Sequence, residues 1–192
     1  TTTLATSGGN VGIGTTAPAG KLTVFENDRY YYVNRKISGY DYTEDSQGPN
    51  YILLHKAYDG TSMNDYYVFG TISAVRGGTG SWNRKLNILV NTATAYGTTR
   101  GSIISYNEGV RLVTLKYGGV KYLAIEIPNG STVYGLVFTG WAYAHDGELL
   151  RLVYDQEVSD VQEFTPEPIT IQGNVGIGTT APGASLQVST VS

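Results

Sequence analysis

The chain has 192 residues, of which 15% are charged, and its formal net charge is −3. This length allows one domain with appendages. A weakly acidic chain without a Lys/Arg cluster argues against nucleic acid as a partner, because nucleic acid requires phosphate neutralisation. No apolar run is long enough for membrane insertion, and the absence of Cys excludes disulfides and thiol chemistry. The 16 Tyr and 25 Gly, with frequent Thr, Val and Ile, are typical of an all-β protein.

The first element along the chain is a short segment that occurs twice. The decapeptide Gly-Asn-Val-Gly-Ile-Gly-Thr-Thr-Ala-Pro occupies residues 9–18 and again residues 173–182, a spacing of 164 residues. Solenoid and propeller repeats have periods of about 20 to 50 residues, so this spacing is too wide for either. A short Leu-x-Val strand follows each copy. We therefore expect one globular insert between two copies of a structural segment.

The repeated residues resemble the shaft repeat of bacteriophage tail fibres and related trimeric fibre proteins. In that family the repeat often precedes a C-terminal intramolecular chaperone, which folds the trimer and then cleaves itself off; no such chaperone is part of this sequence. Cleavage there typically leaves a C-terminal Ser, so Ser192 fits a mature product, and it fits an arbitrary chain end equally well. The resemblance implies a location on the virion, outside the host cell.

One copy of the repeat has too few apolar residues to fold alone, whereas three copies wound together would bury them. We therefore expect an intertwined homotrimer. Its shaft contacts are expected at alternating apolar positions of both copies: Val11, Ile13, Val175, Ile177, Leu186 and Val188. The expected domains are a shaft segment over residues 1–24, a head over 25–170 and a second shaft segment over 171–192.

Within the head, runs of β-branched and aromatic residues between turn residues predict strands. These are 29–37, 51–56, 66–76, 82–90, 110–117, 120–127, 132–141 and 149–154. Gly118-Gly119 predicts a tight hairpin. The segment 132–141 is apolar on both faces, which predicts a central strand, and 159–168 is predicted as the exit loop. This spacing of strands indicates a β-sandwich head that is jelly-roll-like.

Cofactor and metal chemistry find little support in the sequence. Gly12 to Ala17 formally matches a dinucleotide fingerprint, but the pyrophosphate needs a helix N-terminus directly afterwards. Pro18 and an alternating strand follow instead. The two histidines, His55 and His145, lie in separate segments and are too few for a zinc site. We expect no cofactor and no bound metal, and we expect His55 to be a strand residue.

Two acidic loops are candidates for hydrolysis of polysaccharide or for Ca²⁺ binding. One contains Asp41, Glu44 and Asp45, and the other contains Asp146 and Glu148. Solvated loop charge explains both loops. The insert is also shorter than the solenoids that usually carry depolymerase activity in the fibre family. We therefore expect no enzymatic activity, and a glycan-degrading tail spike is a secondary alternative.

Carbohydrate binding has a better physical basis, because sugars combine apolar faces with hydroxyl rims and their sites combine aromatic rings with polar groups. Two segments supply such groups: Trp141, Tyr143, His145 and Asp146 in one, and Trp82 with Arg84 in the other. Trp82 shares its parity with an apolar strand face, so a core position is favoured for it. For Trp141 and Tyr143 the core, a subunit interface and a receptor site are equal alternatives.

The sequence therefore predicts a tail-fibre segment that binds a receptor on the host-cell surface, a glycan or a protein, without catalysis. A purely structural spacer or trimerisation module is the alternative, because the shaft motif resumes at Gly173 and the head is not terminal.

Overall fold

The computed structural model describes residues 9–39, 48–75, 85–107, 109–128, 134–143, 150–171, 175–177, 183 and 186–188. These residues form β-strands and one short 3₁₀ helix, so the prediction of an all-β protein is confirmed. In this part of the chain there is no helix long and apolar enough to span a membrane.

The strands are β1 (Val11–Ile13), β2 (Leu22–Glu26), β3 (Arg29–Lys36), β4 (Asn50–Lys56), β5 (Met63–Val75), β6 (Lys85–Tyr96), β7 (Thr98–Ser105), β8 (Arg111–Tyr117), β9 (Val120–Ile127), β10 (Tyr134–Ala142), β11 (Arg151–Tyr154), β12 (Val158–Glu163), β13 (Val175–Ile177) and β14 (Leu186–Val188). The 3₁₀ helix, Asp155–Glu157, connects β11 to β12.

The strands form two multi-stranded sheets and one separate pair. The large sheet has the order β1-β2-β3-β10-β5-β6-β7, the small sheet has the order β11-β4-β9-β8-β12, and β13 pairs with β14. β3 pairs with β10 in the large sheet, and β4 pairs with β9 in the small sheet. β5, β6 and β7 instead form a meander. The jelly-roll connectivity of the whole head stays a prediction.

The main core lies between the two sheets. Alternate residues of the large sheet, such as Ile72, Ile88 and Phe138, are fully buried in one cluster with Ile52 and Ile125 of the small sheet. Alternation places one face of each strand in the core. The predicted strand face that includes Leu86, Ile88 and Val90 is confirmed as buried.

A second apolar cluster covers the other face of the small sheet. It contains Leu53, Val113 and Leu115, and Val158 and Val161 of β12 pack against it. The prediction of an exit loop from residue 159 was therefore wrong over 159–163, which pair with β8. β12 is an edge strand whose remaining residues are polar and exposed, and such a pattern resembles a loop in sequence.

Two further strand predictions need correction. β7 was not predicted, because its hairpin connection to β6 is Tyr96-Gly97 rather than a pair of strong turn residues. β10 is central in the large sheet, as predicted, but only one of its faces is buried. Trp141, on the other face, is 41% exposed. The Gly118-Gly119 hairpin is present, and both residues have positive φ angles, as a type I′ turn requires.

The strands described in the two repeats pair in the same way. In the first copy Val11 pairs with Leu22 in parallel, and in the second Val175 pairs with Leu186 in parallel, so the register offset is identical. Parallel strands are usually connected by about a dozen residues or more. The shorter segment 14–21, which connects β1 to β2, is made possible by glycine. A Cβ atom at Gly14, where φ is +73°, would clash with the carbonyl oxygen of Phe25. Glycine at position 14 therefore permits a tight turn within one chain.

β2 crosses the boundary expected between residues 24 and 25. It pairs along its whole length with β3, from Leu22 opposite Val33 to Glu26 opposite Arg29. The first repeat is thus continuous with the large sheet of the head. In the second repeat, no described residue outside the pair is bonded to β13 or β14 in a sheet.

Candidate ligand-binding groove

The predicted aromatic residues Trp141 and Tyr143 lie on the outer face of the large sheet. Leu136, Phe138 and Ala142 occupy the alternate positions of β10 and point into the core. Strand alternation therefore turns Trp141 outward. The backbone N–H of Tyr143 donates to the carbonyl oxygen of Tyr67 at 3.1 Å, which extends the pairing with β5 one step beyond the strand. The core alternative for Trp141 is excluded by its exposure.

An aromatic row forms the floor of the groove. Trp141 is paired across the sheet with Phe69 on one side and with Tyr31 on the other. The rings of Tyr67 and Phe69 are stacked, with centroids 5.0 Å apart, and the ring of Tyr143 stacks on Tyr67 at 5.9 Å. The ring of Tyr31 contacts that of Trp141, with centroids 5.1 Å apart. The row lies at the surface, where Phe69 is 40% exposed and Trp141 is 41% exposed.

The walls come from a hairpin turn and from small residues. Asn27 and Asp28 connect β2 to β3 and have φ angles of 50° and 61°, as in a type I′ turn, whose positive φ angles Asn and Asp tolerate. On the other side Ala93, paired with Tyr67, and Ala95 leave space beside the aromatic row. The resulting groove has a volume of about 680 Å³.

Besides tyrosine and threonine hydroxyls, the lining residues of the groove carry two carboxylates, a guanidinium and an amide. Asp28, Arg29 and Asn27 belong to the hairpin turn, and Asp65 lies near the start of β5. Loss of hydration raises the pKa of Tyr143, and the negative charges of Asp28 and Asp65 raise it further. Both carboxylates are therefore close enough to act on whatever lies against Tyr143.

The hydroxyl of Tyr67 is buried and has no hydrogen-bond partner among the described residues. Burial raises its pKa, and the nearby positive charge of Arg29 offsets part of that effect. A buried hydroxyl without a partner costs about 1 to 3 kcal/mol.

The structure brings together only part of the predicted site. Trp141 and Tyr143 line one groove. His145, Asp146, Glu148, Trp82 and Arg84 lie outside the described residues, as does the acidic loop of Asp41, Glu44 and Asp45.

Sequence reasoning missed several residues of the groove: Asn27, Asp28, Arg29, Asp65, Tyr67 and Phe69. The pair Asn27-Asp28 between two aromatic runs was a usable signal for a hairpin beside the site. Tyr67 and Phe69 carried a weaker signal, because only the alternation of β5 places them on the outer face.

The predicted strand position of His55 is confirmed, and the imidazole is fully buried. It contacts the hydroxyls of Thr92 and Thr94 rather than carboxylates. In the described part of the chain, no three His, Asp or Glu side chains converge as metal ligands.

The predicted shaft residues differ in exposure. Ile13 is 57% exposed in the single chain, whereas Val11 and Val175 are half-buried. Ile177, Leu186 and Val188 lie in the paired strands β13 and β14. Ile13 is thus a large apolar side chain of the first repeat that stays mostly exposed in a single chain.

Together these features define an all-β protein with two packed sheets and an aromatic groove on the outer face of the larger one. A scan against protein-family models gave no match, and neither did searches of the curated proteins and of the solved structures. The resemblance to tail fibres therefore rests on the repeated decapeptide.

Proposed function

We propose that the protein is a segment of a bacteriophage tail fibre whose head binds a glycan on the host-cell surface without breaking bonds. The observation that carries this proposal is the groove that is lined by Trp141, Phe69, Tyr67 and Tyr143 together with two carboxylates and a guanidinium. Sugar rings have apolar C–H faces that pack on aromatic rings, and their hydroxyls require polar partners at the edge.

The exposure of the aromatic row also supports binding. Phe69 and Trp141 are large apolar side chains that stay about two-fifths exposed next to a pocket. Contiguous apolar surface rimmed by polar residues is typical of interaction sites. An open groove of this kind fits a weak site, and three weak sites on one fibre tip would act together through avidity.

A structural spacer is the second candidate, and one observation favours it. The pair β13–β14 repeats the β1–β2 pair with the same register, so the same motif stands on both sides of the head. A head between two identical connectors suits a purely architectural role. The two candidates differ in one property, which is whether the groove has a ligand.

The test is a printed array of bacterial surface glycans probed with the whole labelled chain, followed by calorimetric titration of the glycans that bind. We expect Trp141→Ala and Tyr143→Ala each to weaken binding by about tenfold or more, because each removes a ring face worth roughly 1.5 to 3 kcal/mol when covered. The matched control is Tyr106→Ala, which removes an 85% exposed tyrosine outside the groove and leaves the affinity unchanged.

Three results would count against the proposal. An array without any bound glycan favours the structural spacer. Binding that survives both groove substitutions moves the site elsewhere. Release of reducing ends from a bound polysaccharide contradicts binding without catalysis and favours the tail-spike alternative.

A further inference from the structure

The charges of the groove indicate what kind of saccharide it takes. We propose that the groove selects glycans carrying a protonated amine, such as sugars with a free rather than an acetylated amino group. This inference rests on the proposed function, since it names the ligand class of the same site.

The first argument is the balance of charge. The described lining contains two carboxylates, Asp28 and Asp65, and one cation, Arg29. The carboxylates come from two different elements, the β2–β3 turn and the start of β5, and both act on Tyr143. Both carboxylates line the same groove as Tyr143. An ammonium group placed there would make charge-assisted hydrogen bonds, whereas a sugar carboxylate would be repelled.

The second argument is the orientation of the rings. Tyr143, Tyr67 and Phe69 form a stacked series, with angles of 29° and 20° between successive ring planes. The face of an aromatic ring is electron-rich and attracts a cation within about 6 Å of its centroid. A ligand that contacts these rings therefore gains from a positive substituent as well as from an apolar sugar surface. The rings and the carboxylates favour the same ligand charge.

The third argument concerns the neutral part of the ligand. Arg29 and Tyr143, with its hydroxyl, lie in the same groove. The guanidinium only donates hydrogen bonds, whereas the hydroxyl both donates and accepts. Sugar hydroxyls can partner both. A saccharide with one ammonium and several hydroxyls satisfies each polar group of the groove, whereas a simple ammonium ion does not.

The experiment compares two oligosaccharides that differ only in acetylation: a β-1,4-linked glucosamine oligomer and the N-acetylglucosamine oligomer of equal length. Both are titrated into the whole chain by NMR, together with matched free-amine and N-acetylated pairs from the glycan array. We expect the free amines to bind about tenfold more tightly at low salt, and we expect this preference to shrink as salt screens the charges.

Substitution of the carboxylates locates the effect. Asp28→Asn and Asp65→Asn keep the shape of the side chain and remove its charge, so each should reduce the preference for the amine while binding of the N-acetylated oligomer is retained. Asp59→Asn is the control: Asp59 is exposed and lies outside the groove, and its Oδ1 accepts the backbone N–H of Thr61 at 3.0 Å.

The outcomes separate this inference from the function on which it rests. Equal or tighter binding of the N-acetylated partners, still sensitive to Trp141→Ala, overturns the selection for amines and leaves glycan binding intact. Absence of binding by every glycan of the array overturns both, whereas binding only of glycans without an amino group overturns the selection for amines alone. A preference for amines that persists in both Asn variants also overturns the inference, because the groove carboxylates would not be its cause.

Discussion

At the scale of single residues, the most unusual environment is that of His55. Its Nδ1 lies 2.9 Å from the carbonyl oxygen of Lys56 and its Nε2 lies 3.1 Å from the hydroxyl of Thr92. The ring is fully buried between β4 and β6. Burial disfavours the charged imidazolium and lowers the pKa of His55 to about 4, although the hydrogen bond with the Lys56 backbone offsets part of this effect.

This environment predicts a loss of stability in acid. The unfolded chain binds a proton at His55 near its ordinary pKa of 6.5, whereas the folded chain does so only near pH 4. Stability is therefore complete above pH 6.5 and decreases as the pH falls through this window. His55 accounts for a loss of about 3 kcal/mol in the free energy of unfolding once the pH is below 4. Urea unfolding between pH 7 and pH 4 measures it.

The variant His55→Gln separates the acid-induced loss of stability due to His55 from the loss due to protonation of carboxylates. Glutamine is polar but does not titrate, so the variant is expected to be less stable at pH 7 and to lose about 3 kcal/mol less than the parent on acidification. Parallel stability curves for the two chains would contradict the assignment.

At the same scale, strand parity was enough to group Trp141 with Tyr143, since residues two apart share a face. Parity alone could not say which face was buried. Phe138 and Trp141 are both large and apolar, and only the position of the small sheet buries one and exposes the other. The packing of the two sheets, and not the composition of β10, therefore excludes a core position for Trp141.

At the scale of elements, two glycines fix how β5 and β10 meet. Gly70 and Gly140 are directly opposite each other, one step from the Phe69–Trp141 pair. Cβ atoms at these positions would lie 2.9 Å and 3.0 Å from the ring of Phe138, and they would also clash with the carbonyl oxygens of Thr139 and Phe69. The Phe138 ring therefore fills the space that two side chains would occupy, and the aromatic row depends on this close approach.

Gly70→Ala and Gly140→Ala are accordingly expected to destabilise the protein by up to about 3 kcal/mol, because overpacking a core displaces the backbone. Thermal unfolding measures the loss, and ligand titration should show weaker binding as well, because the two strands carry the floor of the groove. Gly97→Ala is the control, since a Cβ atom there would have no neighbour closer than 3.9 Å. Equal stability of all three variants would show that the strands adjust freely.

The elements that sequence predicted best were those with an apolar face and clear turn residues, such as β8 and β9 around Gly118-Gly119. β12 was not predicted because only Val158 and Val161 pack inward, while its other residues face water. β7 was not predicted because the turn before it contains Tyr96, with a φ angle of 53°, at a position where glycine or asparagine is usual. In both cases tertiary pairing stabilises a strand that local preference does not indicate.

At the scale of the whole molecule, the exposed apolar surface of the first repeat bears on assembly. Ile13 is 57% exposed although it lies in a strand of the large sheet. Burial of such a side chain contributes about 1.5 to 3 kcal/mol. This surface supports the proposal that several copies of the chain associate through the repeat.

Light scattering after size exclusion is expected to give a mass three times that of the 20.7 kDa chain. Ile13→Asp should shift the mass toward one chain while the fold of each chain, read by circular dichroism, is kept, because Ile13 contributes little to the core. Ile169→Asp, at a similarly exposed isoleucine outside the repeat, should leave the trimer intact. A monomeric parent protein would contradict the fibre proposal.

The sequence by itself determined the all-β class, most of the strands and the placement of Trp141 and Tyr143 on the same face. The reason is that alternation, turn residues and β-branched composition act over short distances. The sequence also revealed the repeat, because identity needs no structure. Only the tertiary structure decided which face of β10 meets water and that the β2–β3 turn brings Asp28 beside Tyr143. It also joined the first repeat to the large sheet. These relations connect residues far apart in the chain, and they follow from how the sheets pack rather than from any local preference.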